Sequence, residues 1–158
     1  MANDNKSVFD PDTFMHQEVE MALETTFTPV DEGEYDAYID KVEADNANTN
    51  DGPKPILKVI YAITNDEVKK QQDTDKPTVK QTLWLDFDKQ TGGLSSGLNN
   101  NLKLGQVREA VEQNVDGEPW SPTMLAGAGP VVLKVGHRFN KETGEGPYAE
   151  VLRVSAPA

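Results

Sequence analysis

Thr78-Val-Lys-Gln-Thr-Leu-Trp-Leu-Asp-Phe87 alternates strictly: Val79, Gln81, Leu83, Leu85 and Phe87 share one side, and Lys80, Thr82, Trp84 and Asp86 the other. Successive side chains of a strand point to opposite faces, so a period of two predicts a strand with one face on a core and one in solvent. Ile56-Leu-Lys-Val-Ile-Tyr-Ala-Ile63 reads the same way, with Leu57, Val59, Tyr61 and Ile63 inside and Lys58 outside. Gly33 opens a further strand over residues 34–42, with Tyr35, Ala37 and Ile39 on one side and Asp36, Tyr38 and Asp40 on the other. Residues 131–139 and 148–154 form a last pair, joined by the turn-rich Asn140-Lys-Glu-Thr-Gly-Glu-Gly146.

One helical segment falls between the third and fourth strands. Leu102, Leu104, Val107, Ala110 and Val111 recur at helical spacing, which predicts an amphipathic helix ending near Asn114 after the Gly-, Ser- and Asn-rich residues 90–101. Strand, strand, strand, helix, strand, strand is the connectivity of a five-stranded OB-like barrel, a mainly β fold in which the helix plugs one end.

An extra N-terminal helix is expected. Residues 1–11 are polar and read as mobile, and Asp10-Pro11-Asp12 then supplies a cap and a first-turn proline. Met15, Val19, Ala22 and Leu23 line one helical face before Pro29 stops it, so the helix should pack on the body. Residues 44–55, with Asn, Gly and Pro, read as a flexible connection and the first candidate binding loop, and residues 65–76 as a charged loop without apolar periodicity. The chain divides into an acidic arm with a short helix, residues 1–28, and a barrel domain, residues 29–158.

Charge is unevenly spread. The net charge of −12 sits entirely in residues 1–53, where fourteen Asp and Glu face Lys6 and Lys41, while residues 54–158 hold thirteen acidic and thirteen basic residues. The second part is neutral, so its Lys and Arg are free to line a groove if the fold segregates them. With no cysteine, disulfides, zinc–thiolate sites and thiol nucleophiles are excluded. The start MANDNKSVFDPDTF has no secretory signal pattern, and no apolar run approaches the roughly 18 residues of a membrane span. A soluble, cytoplasmic protein is expected.

Reaction chemistry finds little material. The two histidines, His16 and His137, lie in different elements, and no serine has a nucleophile-elbow context. Asp86-Phe87-Asp88 offers two carboxylates but reads better as a strand terminus at the solvent. The acidic residues near Asn46–Gly52 fail the EF-hand register, and Gly92, Gly93 and Gly97 lack the Gly-Lys-Ser/Thr of a phosphate loop. A binding protein without catalytic residues, metal or cofactor is expected.

Aromatic and basic residues interleaved on outward strand faces give the stronger signal. Trp84 lies beside Lys80, and Tyr38, Lys58, Lys134, Arg138 and Tyr148 occupy comparable positions on other strands. Exposed rings can stack bases, at about 1–3 kcal/mol each, while cations follow phosphates without reading sequence. Trp120, flanked by prolines, reads as a loop anchor instead.

The blocks EGEYDAYIDKVE, LKVIYAI, TVKQTLWLDF, LGQVREAV, GAGPVVLKVGHR and YAEVLRV resemble those of phage-type single-stranded DNA-binding proteins with an OB core, over roughly residues 29–155. The resemblance implies a sequence-tolerant coat for single-stranded DNA in a replication or recombination module, working in the host cytoplasm, with self-association compatible. Many such proteins recruit partners through an acidic C-terminal tail, whereas this chain ends in Arg153-Val-Ser-Ala-Pro-Ala158 and carries its acid at the front. The N-terminal acidic segment is therefore the expected contact for replication or recombination proteins, or a competitor of DNA for the groove. The alternative is a phage structural or assembly protein that uses the barrel as a docking module.

Overall fold

The computed structural model describes residues 9–25 and 27–158, so most of the polar start lies outside the described residues. Five strands make one antiparallel sheet: β1 (Gly33–Thr49), β2 (Gly52–Ile63), β3 (Thr78–Trp84), β4 (Val131–Arg138) and β5 (Tyr148–Ser155). Their order is β3-β2-β1-β4-β5, with β3 and β5 at the edges. The fold is mainly β and its hydrogen-bonded sheet is open. β3 and β5 come within 8 Å of each other without forming a ladder.

The sides read from alternation are those observed on β2 and on β3 as far as Trp84, where β3 ends; Phe87, expected on the inner side, lies past that end and is exposed in an isolated bridge to Leu94. Leu57, Val59, Tyr61 and Ile63 are buried with Val79, Gln81 and Leu83, while Lys80, Thr82 and Trp84 are exposed. On β1, Ala37 and Ile39 face the core, and a bulge between Ile39 and Lys41 leaves Asp40 as an extra residue. The bulge shifts parity by one, so Val42 pairs with Val59 on the core side. A second bulge sets Lys134 and Val135 opposite Arg153 and Val151, leaving Leu152 as the extra residue of β5.

Residues 44–55 are not a flexible loop. Both strands continue as a hairpin arm in register to Thr49 opposite Gly52, with Asn50 and Asp51 at the tip. Pro53 and Pro55 are tolerated because β3 pairs with β2 only from Ile56 onward. The Pro55 carbonyl accepts from Leu85 N at 3.2 Å on the β3 side, which places the hydrogen-less proline nitrogen there too, away from the β1 ladder.

Residues 65–76 contain a helix, α2 (Asp66–Gln71), that periodicity missed. Its single buried residue is Val68, so no stripe exists to be read. Capping does the work: Asn65 Oδ1 accepts from Glu67 N and Val68 N, acids lie in the first turn, and Lys69 and Lys70 lie in the last.

The N-terminal helix is shorter than expected and packs on nothing. It spans only Pro11–Met15 (α1), held by Asp10, and buries no residue. Met15, Val19, Ala22 and Leu23 are all exposed. A single capped turn without a packed face cannot propagate, because short isolated helices are marginal in water.

The helix between β3 and β4, α3 (Leu102–Ala110), buries Leu104, Val107 and Ala110 and stops short of Asn114, with Glu112 in the left-handed region at φ 60°. Beyond it a 3₁₀ turn, Pro122–Leu125, buries Leu125. Gly127 N then donates to Ile39 O and Ala128 O accepts from Ile39 N, extending the cover of β1 past β4. The core lies between the sheet's inner face and these segments, around Tyr61, Ile39, Leu83, Leu125, Leu133 and Val107. Each such side chain contributes about 1.5–3 kcal/mol by leaving water.

Candidate nucleic-acid interface

The strict alternation of β3 turns a whole row outward at the sheet edge, and β5 presents another across a gap. Between them lies a cleft of about 960 Å³. Lys80 and Trp84 line it from β3, Arg138 and Tyr148 from the paired ends of β4 and β5, and Lys103 from the first turn of α3. The indole of Trp84 is 55% exposed, opposite the buried Ile56. Arg138 and Tyr148 are cross-strand partners, with the guanidinium 5.8 Å from the ring centroid. That spacing is a cation–π contact, which holds the ring and leaves it able to stack.

Four of the seven residues read from sequence therefore meet at one opening: Lys80, Trp84, Arg138 and Tyr148. Three lie elsewhere. Tyr38 is half-buried on central β1, where Gly129 passes so close that a Cβ there would lie 3.0 Å from Tyr38 Cβ. Lys58 stands opposite Thr82, one strand in from the edge, and its ammonium donates to Asp45 Oδ2 at 3.1 Å across the hairpin arm. Lys134 is exposed on β4 between Glu34 and Arg153.

Lys103 was not legible as a site residue. A long-range clamp brings it to the end of β3: Asp86 N donates to Asn101 Oδ1 at 2.9 Å, Asn101 N donates to Asp86 Oδ2 at 3.1 Å, and Asn101 Nδ2 donates to Asp86 O at 2.9 Å. Nothing in either local sequence announces that pairing. The same bonds account for Asp86, while Asp88 Oδ1 accepts from Gln90 N and Thr91 N in a turn.

The cleft is mixed in charge. Lys80, Lys103 and Arg138 are balanced in part by Asp86 and by Glu150, whose carboxylate lies 3.7 Å from Arg138 Nε. On the hairpin arm, the Asp45 carboxyl is held below the usual carboxylate range by the Asn46 N–H and then by Lys58. Beyond β1, a hydrogen bond to Asp40 raises the Lys76 ammonium above its ordinary value.

Other sequence candidates take structural places. Trp120 donates from Nε1 to Gln113 Oε1 at 2.8 Å beneath the Arg108 guanidinium, 4.1 Å from its ring centroid. His137 Nε2 bonds the Val30 carbonyl at 2.7 Å, tying the irregular segment before β1 to β4. Among the described residues there is no group of three or more His, Asp or Glu placed to hold a metal, and no helix long and apolar enough to cross a membrane. In comparisons with known proteins, no family model, curated protein or solved structure matches this chain.

Proposed function

We propose that this chain is a sequence-tolerant single-stranded DNA-binding protein of a phage replication or recombination module, built on an OB-like barrel left unlaced between β3 and β5. The carrying observation is the cleft that sets an exposed Trp84 and Lys80 across from the Arg138–Tyr148 pair. The strand order and the placement of α3 between β3 and β4 support the barrel reading. In this mechanism bases stack on Trp84 and Tyr148, and Lys80, Lys103 and Arg138 neutralise phosphates. Lys58 adds to the track once released from Asp45. Three neutralised phosphates give a log–log salt slope of about −2, at roughly −0.7 each for single strands.

The test is a fluorescence-anisotropy titration of labelled oligothymidine at low and high salt, with a duplex of equal length as competitor. Salt-sensitive binding that the duplex cannot displace is the expected result. Absence of binding at low salt would end this reading.

The exposed apolar side chains of the arm, Phe14, Met15, Val19 and Leu23, favour one other reading. In it the chain is a phage assembly protein whose arm orders on a neighbouring subunit. An apolar contact of that kind would keep its affinity as salt rises. Under the first reading the acidic arm instead meets replication or recombination proteins, or competes with DNA for the cleft.

A further inference from the structure

The cleft wall takes residues from both faces of β3. Lys80, Thr82 and Trp84 are outward, but Val79 and Gln81, which line it too, are inward. The opening thus cuts into the strand edge and reaches the inner layer between β3 and β5. Gln81 stands there at 7% exposure, the single buried polar residue of the described core. Its Oε1 accepts the Tyr61 hydroxyl at 2.6 Å. Tyr61 is fully buried, and desolvation raises its pKa, so it stays a neutral donor.

The buried hydroxyl has no other acceptor among the described residues, so the amide turns its oxygen to Tyr61. Gln81 Nε2 is left with two N–H groups and no acceptor among the described residues. At the same cleft, Gln72 Nε2 is buried and also lacks a partner. Buried amide donors ordinarily find an acceptor; Gln72 Nε2 is the one such donor without a partner among the described residues, and Gln81 Nε2, which also makes no hydrogen bond there, lines the same cleft, so both are free to meet acceptors that enter it.

We infer that the inner end of this cleft reads one nucleobase by the keto group at C4 of a pyrimidine or C6 of guanine, admitting uracil, thymine or guanine with that carbonyl on Gln81 Nε2. The amino group of cytosine or adenine would meet the same N–H₂ donor to donor. The inference rests on the single-strand reading and adds one selective position to an otherwise tolerant track.

Oligo(dU) and oligo(dC) of equal length test it, since their bases differ only by the keto or amino group and the protonation of the adjacent nitrogen. The full chain should bind oligo(dU) about fivefold more tightly, the worth of one net hydrogen bond. In the double variant Tyr61→Phe/Gln81→Met, which removes both partners and leaves no orphan, that ratio should fall to about one through loss of oligo(dU) affinity. Thermal melts verify that the variant is folded. Gln81→Glu is the second variant: it keeps an acceptor for Tyr61, loses the N–H₂, and should turn the preference toward oligo(dC). Equal binding of both oligomers by the unmodified chain overturns keto selection and leaves the single-strand reading standing. A preference that survives both variants overturns it as well, because strand flexibility and stacking then suffice. Failure to bind either oligomer removes both proposals.

Discussion

Replacing Trp84 with alanine separates binding from folding at this site. The indole is 55% exposed, so just under half of it is covered. A large aromatic side chain buries roughly 200 Å² when fully enclosed, so the covered part is about 90 Å². At about 25 cal/mol per Å² its removal costs about 2 kcal/mol, an upper bound because the unfolded chain covers part of that surface already. The loss of one base stack, about 1–3 kcal/mol, weakens single-strand affinity by roughly 5- to 150-fold. Intrinsic fluorescence gives the assay. The chain has two tryptophans, and Trp120 is anchored by Gln113 and Arg108 away from the proposed track. Quenching by oligothymidine should persist in Trp120→Phe and vanish in Trp84→Ala, while Trp84→Phe retains part of the affinity. Unchanged affinity in a folded Trp84→Ala protein would refute the stacking argument. Loss of the fold would place the indole's role in the sheet.

Three further outcomes are expected. Lys103→Ala should make the log–log salt slope shallower by about 0.7 with a similar melting temperature, as measured by titrations across a salt series. Asp45 titrates below the ordinary carboxylate range because of the Asn46 N–H first and Lys58 second. Its folded value is depressed, so its contribution is present above the unfolded pKa and lost as pH falls through the folded one. In Lys58→Ala, NMR should find the Asp45 pKa raised yet still under the ordinary value, since the Asn46 bond remains. Gly129→Ala should destabilise the fold by about 1–3 kcal/mol in a denaturant melt. Gly129 has φ 147°, and a Cβ there meets Tyr38 Cα at 3.1 Å, a backbone atom that cannot swing aside.

The sheet was legible wherever burial on one face imposed a period of two. β2 and β3 show this best: Tyr61, Leu83 and Trp84 stand on the faces that alternation assigns them. The hairpin arm escaped because both of its faces meet water, so Asn46, Asn48 and Pro55 carry no alternation to read. α2 escaped for the related reason that one buried Val68 makes no stripe. The N-terminal stretch erred the other way, since Met15, Val19 and Leu23 have helical spacing but no surface beneath them. Within the cleft, strand faces located Lys80, Trp84, Arg138 and Tyr148. Lys103 and Gln72 depend on contacts between segments distant in sequence, which no local pattern encodes.

The hairpin arm has a consequence for how the chain behaves when crowded. Two strands that stand clear of the sheet would ordinarily template a neighbour's backbone and seed fibrous growth. On the β2 side, Pro53 shares the parity of Pro55 and turns a nitrogen without hydrogen toward the edge beyond Leu85, so an approaching strand finds a gap in the donor row. On the β1 side, Lys41, Glu43 and Asp45 place charges along the rail, and any approaching strand must bury or repel them. The arm can thus reach far from the body at high local concentration without becoming a nucleus for aggregation.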